Sequence, residues 1–395
     1  MLGEQKNSRR QFLKQSAIVA SGSLLLPSFL KASPNSNTVG NRLVVIQLSG
    51  GNDGLNTVIP FRNDILIQNR PNLLQHRDKL LKLTDEVALN PVMKGLGALY
   101  DQGDLCILNS VGYPNPNRSH FRSMDIWHTA SESDEYLTTG WLGRYLDREC
   151  PDAAPVTAVE MGNVLSMAMK GKSKKGIPLV DVQQFYKSSK RINNAHAYEG
   201  ENPMAAYLYK TQADVKSSAA YLFEKNKIYK SKKSYPDNQF GNQLREVAEM
   251  IISGVESPVY YVSLSGFDTH NNQQGRQERL LKIYSDAIKV FTEDLKAANC
   301  WNDTLVMTFS EFGRRVKENG SRGTDHGKAN NLFLMGGKLK QQGLYNAMPD
   351  LMDLDSGDVR HKIDFREVYA SILNNWMHVD AKRVIGKGFS QLDFV

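Results

Sequence analysis

The chain is poor in the features that fasten small or metal-rich folds. It has three cysteines in 395 residues, Cys106, Cys150 and Cys300. That is too few for a disulfide framework or a four-cysteine zinc module, and no two form a Cys-x-x-Cys pair. Cys106 falls in an apolar run and reads as a small buried hydrophobe. Cys150 and Cys300 are left open to pairing after export. No serine lies in a Gly-x-Ser-x-Gly elbow, which argues against the usual hydrolases of uncharged esters. There is no internal repeat and no low-complexity tract. A hydrophobic fraction of 41% with 23% charged residues excludes a wholly disordered chain.

The formal charge of +7 invites a nucleic-acid or membrane reading until its distribution is considered. Residues 1–32 hold five basic and one acidic side chain. Ser8-Arg9-Arg10-Gln11-Phe12-Leu13-Lys14 resembles a twin-arginine export signal. It is followed by a weakly apolar run from Ala17 to Leu30, shorter than the roughly 18 clean apolar residues of a membrane span. We therefore expect 1–32 to be a signal read by the twin-arginine export machinery and the protein to be periplasmic or otherwise exported. Contact with the membrane is expected only through that segment. A second basic stretch, residues 170–233, holds fourteen Lys or Arg against five Asp or Glu. It reads as a lysine-rich helical insertion over about 165–235, either a solvated face or a positive flap over a site. It has no aromatic–basic interleaving, so no nucleic-acid partner is expected.

Apolar runs at 43–48, 105–108, 156–161, 258–263, 304–309 and 331–335 read as strands. Helical patterns at 93–101, 119–129, 141–149, 202–232, 275–298 and 365–377 alternate with them. This order predicts an α/β fold over 33–395, with a mostly parallel central sheet flanked by helices. In such sheets ligands bind beyond the carboxyl ends of the strands, where the polar motifs of this sequence fall.

Four motifs carry candidate chemistry. Asp53, in Ser49-Gly-Gly-Asn-Asp-Gly54, is either a turn former or a ligand approached closely past glycines. Ser119, in Asn117-Arg118-Ser119-His120-Phe121, is either a simple N-cap or a hydroxyl activated at the positive end of a helix, with Arg118 and His120 beside it. Asp268 and His270, in Gly266-Phe-Asp-Thr-His270, are two apart and share a side in extended backbone, which suits a zinc-like site or a structural hydrogen bond. Glu311 follows the strand at 304–309. Asp325-His326 lies in a glycine-flanked loop, placed to bind a metal or to orient a proton transfer.

Taken in order, the leader, LSGGNDGLN, NRSHFRSMDIWHTA, GWLGR, GFDTH, TFSEFGRR and GTDHG resemble the exported domain-of-unknown-function 1501 family. That family is similar in fold to the alkaline phosphatase and sulfatase superfamily. The resemblance implies a divalent metal ion, zinc or similar, and an anionic phosphate or sulfate ester as substrate. It implies Ser119 as nucleophile, with Arg118 and Arg122 stabilising charge. One metal site would come from Asp268, His270 and His326, and a second from Asp53, Glu311 and Ser119. The chain departs from the pattern at Phe312, which stands where the superfamily has a histidine and cannot bind a metal. The second site then lacks an imidazole unless His120 supplies one. The sulfatase Cys/Ser-x-Pro-x-Arg motif is also absent. A non-catalytic exported binding or assembly protein on the same fold is the competing expectation.

Overall fold

The computed structural model describes residues 40–150, 156–192 and 202–395. The segment read as an export signal lies outside the described residues. Arg42–Ser49 (β1) is buried along nearly its whole length, as its Leu-Val-Val-Ile run requires of a strand covered on both faces. Among the described residues it sits centrally in a nine-stranded sheet. The other main strands are Leu105–Gly112 (β2), Ala158–Met161 (β3), Ile177–Leu179 (β4), Val259–Ser265 (β5), Thr304–Phe309 (β6) and Asn330–Met335 (β7). Two short strands, Gly343–Leu344 (β8) and Ile363–Asp364 (β9), both pair with β2.

The order is β8-β2-β7-β6-β1-β5-β3-β4. β1 pairs parallel to β5 and β6, and β3 pairs parallel to β5 and β4. β7 alone runs antiparallel to its neighbours β2 and β6. The sheet is thus mostly parallel, as the alternating pattern predicts. The reversed strand is not visible in a pattern of apolar runs.

Helices cover both faces. Thr308 and Phe309 are successive strand residues and so point to opposite sides. Thr308 accepts a hydrogen bond from Tyr284 of the long helix Gln273–Ala297, at 2.9 Å. Phe309 stacks on Trp127 of the helix His120–Thr129, with ring centroids 4.8 Å apart. Trp127 in turn stacks on Phe365 of the closing helix at 4.3 Å. The helix Gln239–Ile252 packs beside the long helix. It is absent from the sequence reading, although Asn238 caps it and Phe240, Leu244, Val247 and Ile251 mark its buried face.

The lysine-rich segment is not wholly helical. It contributes the edge strand β4 before the helices Val182–Ser189 and Pro203–Asn226. No helix among the described residues is long and apolar enough to cross a membrane. Cys106, Cys150 and Cys300 are all free thiols.

Candidate metal centre

The loops leaving β1, β5 and β6, the loop before β7 and the start of helix 120–129 meet at one end of the sheet. Two glycines make the approach possible. Gly50 and Gly51 have φ of +117° and +70°. A Cβ on Gly50 would lie 2.4 Å from the Asp268 nitrogen, and one on Gly51 would lie 2.3 Å from the Phe312 ring.

Arg314 ties these loops together. It is 2% exposed. Its guanidinium donates to the carbonyls of Gly50, Gly51, Phe267 and Thr324 and to Asp268 Oδ1 at 2.8 Å. A buried charge of this kind is tolerated only when paired and fully hydrogen-bonded. The sequence reading did not single Arg314 out. Its signal is slight, an arginine in a glycine-containing loop directly after a fully buried strand.

Above this base lie three imidazoles and one carboxylate. Asp268 Oδ1 is 2.9 Å from His270 Nδ1, 3.3 Å from His326 Nε2 and 3.5 Å from His120 Nε2. One ligand atom from each of His120, Asp268 and His326 falls within 4.8 Å of the others, the one such group among the described residues. Asp268 is half exposed, whereas Glu311 and Arg314 beneath it are fully buried. The centre is therefore open to solvent on one side.

The outer hydrogen bonds fix which nitrogen faces inward. Glu311 Oε1 can only accept, so His120 Nδ1, 2.8 Å away, donates to it. The carbonyl of Arg118 likewise accepts from His326 Nδ1 at 2.7 Å. In the neutral rings both Nε2 atoms then turn lone pairs toward Asp268 Oδ1. His120 Nε2 is buried and has no hydrogen-bond partner. Opposed lone pairs around a carboxylate oxygen are what a divalent cation satisfies. Imidazoles held by a carboxylate and a carbonyl at their outer nitrogens are the usual support of such a ligand set. The residues present fit a zinc-like ion.

The ionisation states agree with this. Burial works against the charge on Asp268. The hydrogen bond and charge of Arg314 outweigh it and hold the carboxyl well below its usual range. Burial pushes the His326 imidazole down, and the nearby Arg314 charge adds to this, which favours the neutral ligand form. The Glu311 hydrogen bond pushes His120 up, making it a more basic donor.

The other predicted residues are placed differently. Asp53 is not brought into the cluster. Its Oδ2 accepts from Arg70 Nη1 at 2.7 Å and from Gln273 Nε2 at 2.6 Å, all three side chains being buried. Asp325 is exposed and accepts from Asn319 instead. Glu311 supports His120 rather than joining the ligand group. Ser119 is the exposed N-cap of helix 120–129, and its side chain makes no capping bond. Its two chain neighbours both touch the centre, Arg118 through its carbonyl and His120 through its ring. The Arg118 guanidinium faces Asp358 at 3.3 Å. Arg122 is spent on Asp125 and on the carbonyls of Glu132, Ser133 and Glu135.

Several solved structures are similar to this chain, each only remotely. The C-terminal periplasmic domain of EcEptC from Escherichia coli is 13% identical, with a TM-score of 0.41, covering 91% of this chain and 90% of that one. A protein in the alkaline phosphatase superfamily from Vibrio parahaemolyticus is 11% identical, with a TM-score of 0.39, over 90% and 71%. A sulfatase from Pseudoalteromonas sp. is 10% identical, with a TM-score of 0.37, over 94% and 72%. Among curated proteins, none matches. Residues 40–390 match the family described as Protein of unknown function (DUF1501), and the chain belongs to that family.

Proposed function

We propose that the protein is an exported, metal-dependent hydrolase of phosphate or sulfate esters. The observation that carries this reading is the convergence of His120, His326 and Asp268 around a buried imidazole nitrogen with no partner. His120, His326, Asp268 and His270 would hold a divalent ion of the zinc type. Such an ion lowers the pKa of a nearby hydroxyl and polarises the ester's anionic oxygens.

The chain's own groups do the rest. Glu311 and the Arg118 carbonyl hold the two imidazoles in their donor orientation. Ser119 lies between two residues of the centre, exposed and with its hydroxyl uncommitted, at the positive end of a helix. In this reading its Oγ bonds to the phosphorus or sulfur and the alcohol departs. Water then cleaves the serine ester to release phosphate or sulfate. The open face above Asp268 admits the substrate. Export rests on the twin-arginine-like segment of the sequence.

Zinc content, melting with and without chelator, and turnover of aryl phosphate and aryl sulfate test the proposal together. It predicts bound metal, a chelator-sensitive melting temperature and turnover that Ser119→Ala loses while keeping its metal. Equal turnover in the variant would remove Ser119 from the role. A second reading, a non-catalytic exported binding protein, draws on Phe312 standing where an imidazole is expected. It predicts a metal-free chain indifferent to chelator.

A further inference from the structure

The proposed centre is the starting point, and the inference rests on it. We infer that it holds a single divalent ion, because the chain itself closes the second group of ligands that the sequence offers.

Three observations lead there. The first is the state of Asp53, whose side chain is fully buried against Arg70. The Arg70 guanidinium is fixed on its other edges by the carbonyls of Val316 and Arg315, each at 2.8 Å. The cation that Asp53 needs is therefore built into the fold. Asp53 Oδ1 is left without a donor, but one oxygen of an already neutralised carboxylate makes no site without further ligands.

The second observation is Glu311. Its Oε1 accepts from His120 Nδ1 and from the Gly50 amide, both at 2.8 Å, and its Oε2 lies 3.3 Å from Ser310 Oγ. These bonds orient the first group of ligands, and freeing the carboxylate for a second ion would break them.

The third is Phe312. It is 2% exposed, and its ring centroid lies 4.9 Å from His120 and 4.7 Å from His326. The ring also packs on Gly51. An apolar ring fills the flank where a second ion would need an imidazole, and it offers no lone pair.

Reloading the metal-free protein with zinc and measuring bound zinc per chain tests this. One equivalent is expected. The same single equivalent should remain when Asp53→Asn and Arg70→Leu are combined, which removes both charges of the buried pair together. It should be lost in Asp268→Asn. Two equivalents in the wild type would overturn the single-ion inference and leave the proposed centre standing. A zinc ion that disappears in the double variant but persists in Asp268→Asn would instead lie at Asp53 and overturn the centre and the inference together. No bound zinc in the wild type would overturn the centre and the inference with it. The wild-type count decides the question even if the double variant fails to fold.

Discussion

Arg314 Nη2 lies 2.8 Å from Asp268 Oδ1, so a buried guanidinium and the central carboxylate of the site form one ion pair. The same guanidinium spans carbonyls from three loops. Asp268 is thereby kept charged and fixed before any ligand arrives. This preorganisation is what a metal or an anion needs from the protein.

Truncating Arg314 removes that tie. Arg314→Met takes the guanidinium donor from the carbonyls of Gly50, Gly51 and Thr324 and from the Asp268 carboxylate. We predict a loss of about 3–5 kcal/mol in unfolding free energy, since each buried acceptor left without its donor costs roughly 1–3 kcal/mol. Urea unfolding measures it. Arg314→Lys should recover only part of the loss, because an ammonium cannot span the guanidinium's fork of acceptors. A change below about 1 kcal/mol, the size of an ordinary surface effect, would contradict the role.

Glu311 acts through His120 as a positioning residue. Glu311→Gln keeps an acceptor for His120 but removes the charge that raises its basicity. Zinc affinity should fall by about 10–100-fold, as for other outer partners of ligating histidines, with the fold retained. Competition with a chromogenic chelator reads the affinity, and circular dichroism the fold. Unchanged affinity would remove Glu311 from the centre's support.

The single-ion centre also has a charge preference. With neutral imidazoles, the two negative charges of Asp268 and Glu311 are set against Arg314 and a divalent ion, leaving one positive charge in excess. A singly charged ester matches this better than a doubly charged one. We predict a higher kcat/KM for an aryl sulfate or a diaryl phosphodiester than for an aryl phosphomonoester at pH 8. The reverse order would contradict the charge balance.

Away from the site, stability should depend on pH through Glu160 of β3. Burial pushes its carboxyl up from 4.5 to about 7, against the hydrogen bond from the Ser166 amide. The folded protein therefore holds a proton there that the unfolded chain has lost, and stability falls as pH rises from 4.5 through about 7. Glu160→Gln removes this dependence. At pH 8 the variant should be more stable by an amount on the order of 3 kcal/mol, the shift expressed as free energy, and no more stable than the wild type at pH 4.5. Thermal melting at the two pH values checks it. An equal gain at both would show that the titration is not the cause.

The parts of the architecture legible in the sequence are those fixed by local periodicity. The runs at 43–48 and 304–309 are buried on both faces, so they are continuously apolar and recognisable. The glycines of Ser49-Gly-Gly-Asn-Asp mark a close approach that the structure contains. What the sequence hides depends on pairing between distant loops. Asp53 and Asp268 look alike as carboxylates after strands, yet one is held by Arg70 and Gln273 and the other opens to solvent. His120 reads as an appendage of Ser119 until Glu311, 191 positions away, turns its ring toward Asp268. Asp325 beside His326 suggests a shared role, but in an irregular loop adjacent side chains diverge, and Asp325 turns outward to Asn319.

The most direct test is a crystal structure of the zinc-loaded protein with data collected at the zinc edge. The account predicts one anomalous peak, bounded by Asp268 Oδ1, His120 Nε2 and His326 Nε2, with His270 beside it and none at Asp53. A zinc-loaded crystal with no peak among these four residues, or with the peak at Asp53, would contradict it.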